Sequence, residues 1–274
     1  MPCLRRPNLK GQPWRPRVPH LLKRLLAGMT SFALTLTVAQ ADQATARIAA
    51  AASLRPAMDE LVADYRSSHP GARLEAVYGS SGSFRAQIEN GAPFDLFFSA
   101  DMDFPQALEA AGHAAGEAVP YAEGRLVLWS GGDDASTLTL QSLTEERFRR
   151  IAIANPRHAP YGARAEEALR SSGLWDALEP KLVFAENIGQ ALQMVHSGAA
   201  DVGILALAQM HGPSLEGAAF QVIDADLHQP LENGYIITRR GAENPAARGF
   251  AAFVQSPEAQ RILENYGFSI PRSH

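Results

Sequence analysis

Apolar and polar positions along the chain change rhythm repeatedly. Short apolar runs at 46–51, 73–77, 94–98, 126–130, 151–154, 181–184, 201–205 and 234–238 predict strands. Between them the apolar residues recur at helical spacing. Leu54, Met58, Leu61 and Tyr65 share one face of a helix that Ser53 caps and that runs to about Ser67. Phe84 and Ile88 mark a second helix, stopped by Gly91-Ala92-Pro93. Further helices are predicted after Ser99-Ala100-Asp101, through Ala111, and over 163–171, 188–196, 246–254 and 257–266. Strands alternating with helices predict parallel sheets and an α/β fold. In such folds ligands bind where strand ends meet helix starts.

Four of these strand-to-helix turns are small, polar or glycine-flanked. They lie at Ser53, at Gly79-Ser80-Ser81-Gly82-Ser83, at Tyr161-Gly162, and at Ala185-Glu186-Asn187-Ile188. A helix N-terminus leaves N–H groups without intrahelical acceptors and carries positive potential, so it suits an anion. One such turn is an ordinary serine cap. Four converging turns make an anion site. None has a Lys or Arg in its core, so the anion would be held by neutral donors.

Composition narrows the class. The chain has 274 residues, 46% hydrophobic and 20% charged, which fits a globular protein with a large core. Residues 1–41 hold Arg5, Arg6, Lys10, Arg15, Arg17, Lys23 and Arg24 and no acid. That leaves 18 basic against 29 acidic side chains, a net of −11, in the remainder. Such a body is unsuited to non-specific nucleic-acid binding. The basic start, the apolar run 25–38 and Val38-Ala39-Gln40-Ala41 form a signal peptide over 1–41, with cleavage after Ala41 and export; the alternative is an uncleaved N-terminal anchor. The single cysteine, Cys3, falls in that segment, so the exported chain has no disulfide and no thiolate metal site.

Taken together, Ala50-Ala51-Ala52-Ser53-Leu54, Gly79-Ser80-Ser81-Gly82-Ser83, the run 91–101 (GAPFDLFFSAD), Asn155-Pro156 through Gly162, Ala185-Glu186-Asn187-Ile188 and Tyr266-Gly267-Phe268 resemble the periplasmic molybdate-binding proteins of ABC importers. The resemblance covers about residues 46–270. It implies a type II periplasmic binding protein: two α/β lobes, 42–125 plus 239–274 and 126–238, joined by two crossover strands, 126–130 and 235–238. It implies a monomer without cofactor that captures molybdate or tungstate and delivers it to an ABC permease and ATPase. By motif matching Ser53 and Ser81 would bind through hydroxyl and backbone N–H, and Tyr161 and Ile188 through backbone N–H. Where some members donate a tyrosine hydroxyl, Ala206 stands here. Tyr161, where others have a small residue, would bring a replacement hydroxyl.

Other readings are weaker. Sulfate or another tetrahedral oxyanion would suit the same donors. Gly79-Ser80-Ser81-Gly82-Ser83 approaches the G-x-S-x-G elbow of serine hydrolases, with Ser81 as nucleophile. Ser83 breaks the motif; of the candidate bases His158, His196, His211 and His228, His196 lies in a helix and His158, near the proposed site, has no nearby acid in sequence to complete a triad. The turns contain no His/Asp/Glu cluster at metal-ligand spacing.

Overall fold

The computed structural model describes residues 45–132 and 134–271; the expected leader and cleavage site, and Cys3, lie outside them. The chain alternates as the periodicity predicts. Strand β1 (Thr45–Ala51) leads through a 3-10 turn, Ala52–Leu54, into helix α1 (Arg55–Ser68). Then come β2 (Arg73–Gly79), α2 (Ser81–Glu89), β3 (Leu96–Ser99), α3 (Asp103–Ala110), β4 (Val119–Gly124) and β5 (Leu126–Trp129). The middle of the chain forms β6 (Ile151–Ala154), α4 (Pro160–Ser171), α5 (Trp175–Leu178), β7 (Leu182–Ala185), α6 (Ile188–His196), β8 (Val202–Ala206), α7 (Leu207–Met210) and β9 (Gln221–Val222). It closes with β10 (Leu231–Ile237), α8 (Pro245–Val254) and α9 (Pro257–Asn265).

The strands make two five-stranded sheets, ordered β2-β1-β3-β10-β4 and β7-β6-β8-β5-β9. Neither is wholly parallel, which corrects the sequence expectation. In the first, β1 runs parallel to β2 and β3, while β10 is antiparallel to β3 and β4. In the second, β6 runs parallel to β7 and β8, while β5 is antiparallel to β8 and β9. The chain passes from one sheet to the other between Gly124 and Leu126. It returns between Val222 and Leu231, upstream of the 235–238 segment expected to cross, because β10 pairs along its length with β3 and β4.

Burial explains the elements. Along β3, Leu96 and Phe98 pack with α1, α8 and α9, while Phe97 faces the opposite layer with Phe84, Ile88 and Leu108. This period of two places apolar side chains on both faces, as a sheet covered on both sides requires. Met58, Leu61, Val62 and Tyr65 form the buried stripe of α1. Pro56, Pro160, Pro245 and Pro257 sit in the first turns of their helices, where a missing N–H costs little. Pro160 starts α4 three residues before the periodicity does. Ala51, Ala52 and Ala100, at the ends of β1 and β3, join the apolar cluster of the second sheet. The C-terminal ends of the parallel strands of both sheets therefore meet.

Candidate functional site

The order β2-β1-β3, repeated as β7-β6-β8, sets switch points at the strand C-termini, where α/β sheets accept ligands. Ser53 follows β1, Ser81 follows β2, Tyr161 follows β6 and Ile188 follows β7. The structure brings all four to one cavity, together with Ala100 after β3 and Asn187. They are 0, 1, 2 and 4% exposed, respectively. The cavity is small, about 10 Å³, room for roughly one water-sized body and too little for a ligand of sugar or peptide size.

Each turn contributes its donors differently. In α2 the cap is Ser80, not Ser81: Ser83 N–H donates to Ser80 Oγ at 3.3 Å and Phe84 N–H to the Ser80 carbonyl at 3.1 Å. Gly82 N–H is taken by the His158 carbonyl at 2.9 Å. Of the first-turn N–H groups, Ser81's is left for a ligand. The Ser81 Oγ accepts Ala100 N–H at 3.1 Å, so its own proton is free to donate. Ser53 lies inside the 3-10 turn, one residue before the α1 cap Leu54. Its hydroxyl is fully buried and has no protein partner. In α6 Asn187 caps through Gln190 N–H at 3.0 Å, leaving Ile188 N–H at the open end of the helix. Gln209, from α7, accepts Ala206 N–H at 3.1 Å and donates to the Ile188 carbonyl at 3.0 Å. The end of β8 is thereby tied to the first turn of α6.

Tyr161 is the second residue of α4. Gly162 beside it packs on the end of β6, and any Cβ there would collide with the Ala154 carbonyl. The Tyr161 phenol lies over Gly124, whose missing Cβ leaves the room the hydroxyl occupies. Like Ser53, this hydroxyl is buried without a protein partner. Burial pushes the phenol well above its usual range, only partly offset by the Ser53 hydroxyl, which lies nearby but outside hydrogen-bonding geometry, so Tyr161 stays protonated.

The sequence reading missed a polar bridge between the two sheets' loops. Ser80 Oγ donates to the His158 carbonyl at 2.7 Å and lies 2.9 Å from His158 Nδ1. His158 Nε2 is 3.7 Å from Glu186 Oε2, and Ser83 Oγ donates to Glu186 Oε1 at 3.1 Å. Glu186 is the acid that the sequence did not place beside His158. A serine, a histidine and a glutamate thus adjoin, but the serine is the cap Ser80, whose proton goes to a carbonyl. Ser81, which the hydrolase reading needs, is held by Ala100.

A second cavity of about 640 Å³ opens beside the first, between α1, α6 and α7. Its charges are largely matched at home: Arg55 stacks over the Tyr78 ring and the Tyr78 hydroxyl donates to Asp59. Among the described residues no group of three or more His, Cys, Asp or Glu could hold a metal ion, and no helix is long and apolar enough to cross a membrane.

Comparison with known proteins gives one consistent match. The sequence model for bacterial extracellular solute-binding proteins matches residues 46–269. Molybdate-binding protein ModA of Azotobacter vinelandii is 34% identical over 241 residues, covering 86% of this chain and 94% of that protein. Molybdate-binding protein ModA of Rhodobacter capsulatus is 35% identical over 245 residues, covering 89% and 96%. The solved periplasmic molybdate-binding protein of Azotobacter vinelandii superposes with a TM-score of 0.78 at 33% identity, over 83% of this chain and 100% of that one.

Proposed function

The chain belongs to the bacterial extracellular solute-binding proteins, in the molybdate-binding family, and on that premise we propose that its cavity captures molybdate as the intact tetrahedral dianion. It is a binding protein and not an enzyme. The observation that carries the ligand assignment is the pair of buried hydroxyls, Ser53 and Tyr161, that have no protein partner and border the same small cavity. Among the described residues six buried side-chain atoms lack a partner, and Ser53 and Tyr161 are the two that line this cavity, which supports their role as donors kept for a ligand.

In this reading Ser53 and Ser81 donate hydroxyl and backbone N–H. Tyr161 donates N–H and its phenol, and Ile188 donates N–H. The positive ends of the helices supply the field, so no cation is needed. Tungstate, of the same charge and shape, binds in the same way. Sulfate is smaller and cannot reach every donor at once. The two sheets act as two lobes, about 42–125 plus 239–274 and 126–238, with 231–237 counted with the first because it pairs there. An ion entering the open cleft meets donors from one lobe. The other lobe's donors add affinity only on closure, which supplies the differential binding that closure requires. The bridge among Ser80, His158 and Glu186 forms at the same moment. Export by cleavage after Ala41 and delivery to an ABC permease and ATPase complete the proposal.

Isothermal titration calorimetry with molybdate, tungstate, sulfate and phosphate tests it. One site per chain for the first two, with weak or no heat from the others, is the expected result. Equal affinity for sulfate refutes the size filter, and no binding of molybdate or tungstate refutes the assignment.

A further inference from the structure

Asp101 is a buried carboxyl, 9% exposed, one residue beyond the turn that holds Ser81. Its Oδ1 accepts the Ser99 hydroxyl at 3.1 Å and the Phe104 N–H at 3.2 Å. Its own N–H donates back to Ser99 Oγ at 3.2 Å. This closed ring fixes the peptide between Ser99 and Asp101, and so aims Ala100 N–H at Ser81 Oγ. A hydroxyl that accepts from a fixed N–H keeps its own proton free to donate elsewhere. The ring thus leaves the Ser81 proton available to the cavity, the polarity an anion needs.

The same carboxyl puts a titratable acid beside a site that lacks cations. The charges that act on it are Asp103, in the same turn, and Arg164, from α4. Burial raises its pKa to about 6, against the lowering effects of the Phe104 and Ser99 hydrogen bonds and Arg164, with Asp103 adding to the rise. Protonation at Oδ2 leaves both hydrogen bonds to Oδ1 intact. A dianion entering the neighbouring cavity disfavours the ionised carboxylate further.

We propose that Asp101 is a positioning residue for Ser81, and that capture of a dianionic oxyanion is coupled to uptake of a proton by its carboxyl. This rests on the oxyanion reading above, and the two fail differently. The test is calorimetry of the full protein with molybdate between pH 6 and 8, in buffers of differing ionisation enthalpy, on the wild type, Asp101→Asn and Asp101→Ala. The wild type takes up a fraction of a proton, and its affinity falls as pH rises through the carboxyl's ionisation. Asp101→Asn keeps an acceptor for Ser99 and Phe104 but carries no charge. It takes up less proton than the wild type and binds several-fold more tightly than it at pH 8, with the two converging at acid pH. Asp101→Ala loses the ring and binds at least tenfold more weakly than Asp101→Asn at every pH. Equal proton uptake in the wild type and Asp101→Asn overturns the coupling, and Asp101→Ala binding like Asp101→Asn overturns the positioning. Because the wild type and Asp101→Asn alone decide the coupling, it stays testable if Asp101→Ala does not fold. Absence of heat from molybdate in every protein overturns the oxyanion reading itself.

Discussion

Tyr161→Phe removes one oxygen and leaves the ring in place. The ring is 2% exposed and the hydroxyl sits over Gly124 with no protein partner, so the substitution breaks no internal hydrogen bond. Without ligand, the fold loses nothing and sheds a desolvated polar atom. Such atoms cost about 1–3 kcal/mol when left unpaired. At roughly 2–4 °C per kcal/mol for a domain of this size, the unliganded melting temperature stays level or rises by a few degrees. With ligand the sign reverses. A neutral donor to a charged acceptor contributes about 1.5–3 kcal/mol, and 1.4 kcal/mol is tenfold in affinity, so molybdate binds roughly 10- to 150-fold more weakly. Calorimetry gives the affinity and a thermal melt gives the stability, on the same preparation. Binding within twofold of wild type, or a variant that melts well below it without ligand, would refute the argument that this hydroxyl is kept for the ion.

Three further outcomes follow from the geometry. Ser81→Ala deletes a donor and strands Ala100 N–H, so titration should show affinity reduced by about 1.5–3 kcal/mol, with Ser53→Ala similar. Gly124→Ala drives a methyl into the Tyr161 hydroxyl and should weaken molybdate binding at least as much as Tyr161→Phe while the far-ultraviolet dichroism is unchanged. Asp101 has a folded pKa of about 6 against 3.8 unperturbed. Its contribution to stability is therefore fully present below about pH 3.8 and is lost as pH rises through about 6, a swing of about 3 kcal/mol. Urea unfolding from pH 4 to 8 should show that trend in the wild type relative to Asp101→Asn, and parallel curves would contradict it.

Much of this was legible in the sequence because it is local. The strand ends and helix starts at Ser53, Ser81 and Ile188 follow from apolar period and small polar turn residues within a few positions of each other. What the sequence hid is mostly long-range. Strand β4 contains Pro120 and alternates weakly, and it is a strand because it pairs with β10, more than a hundred residues on. The antiparallel pairings that make both sheets mixed leave no local trace. The expected crossing at 235–238 failed for the same reason: an apolar strand does not announce its partner. Local chemistry also misled in small ways. Ser80 caps α2, and Ser53, expected to cap α1, lies inside a 3-10 turn with Leu54 in the cap position. His158 lacked an acid only along the chain, since Glu186 reaches it from the next loop. Asp101 was read with the turn after β3, but its ring with Ser99 needed coordinates.

The repeated strand order has a consequence for what the protein can evolve to carry. Each half of the cavity comes from a first and second strand of a 2-1-3 set, so the two walls are near copies made largely of main chain. A cargo that looks alike from opposite sides uses both walls, whereas a lopsided one leaves half the donors idle. Because peptide N–H groups are the same whatever the side chain, the walls tolerate drift, and a lost hydroxyl at one strand end can be made good from another.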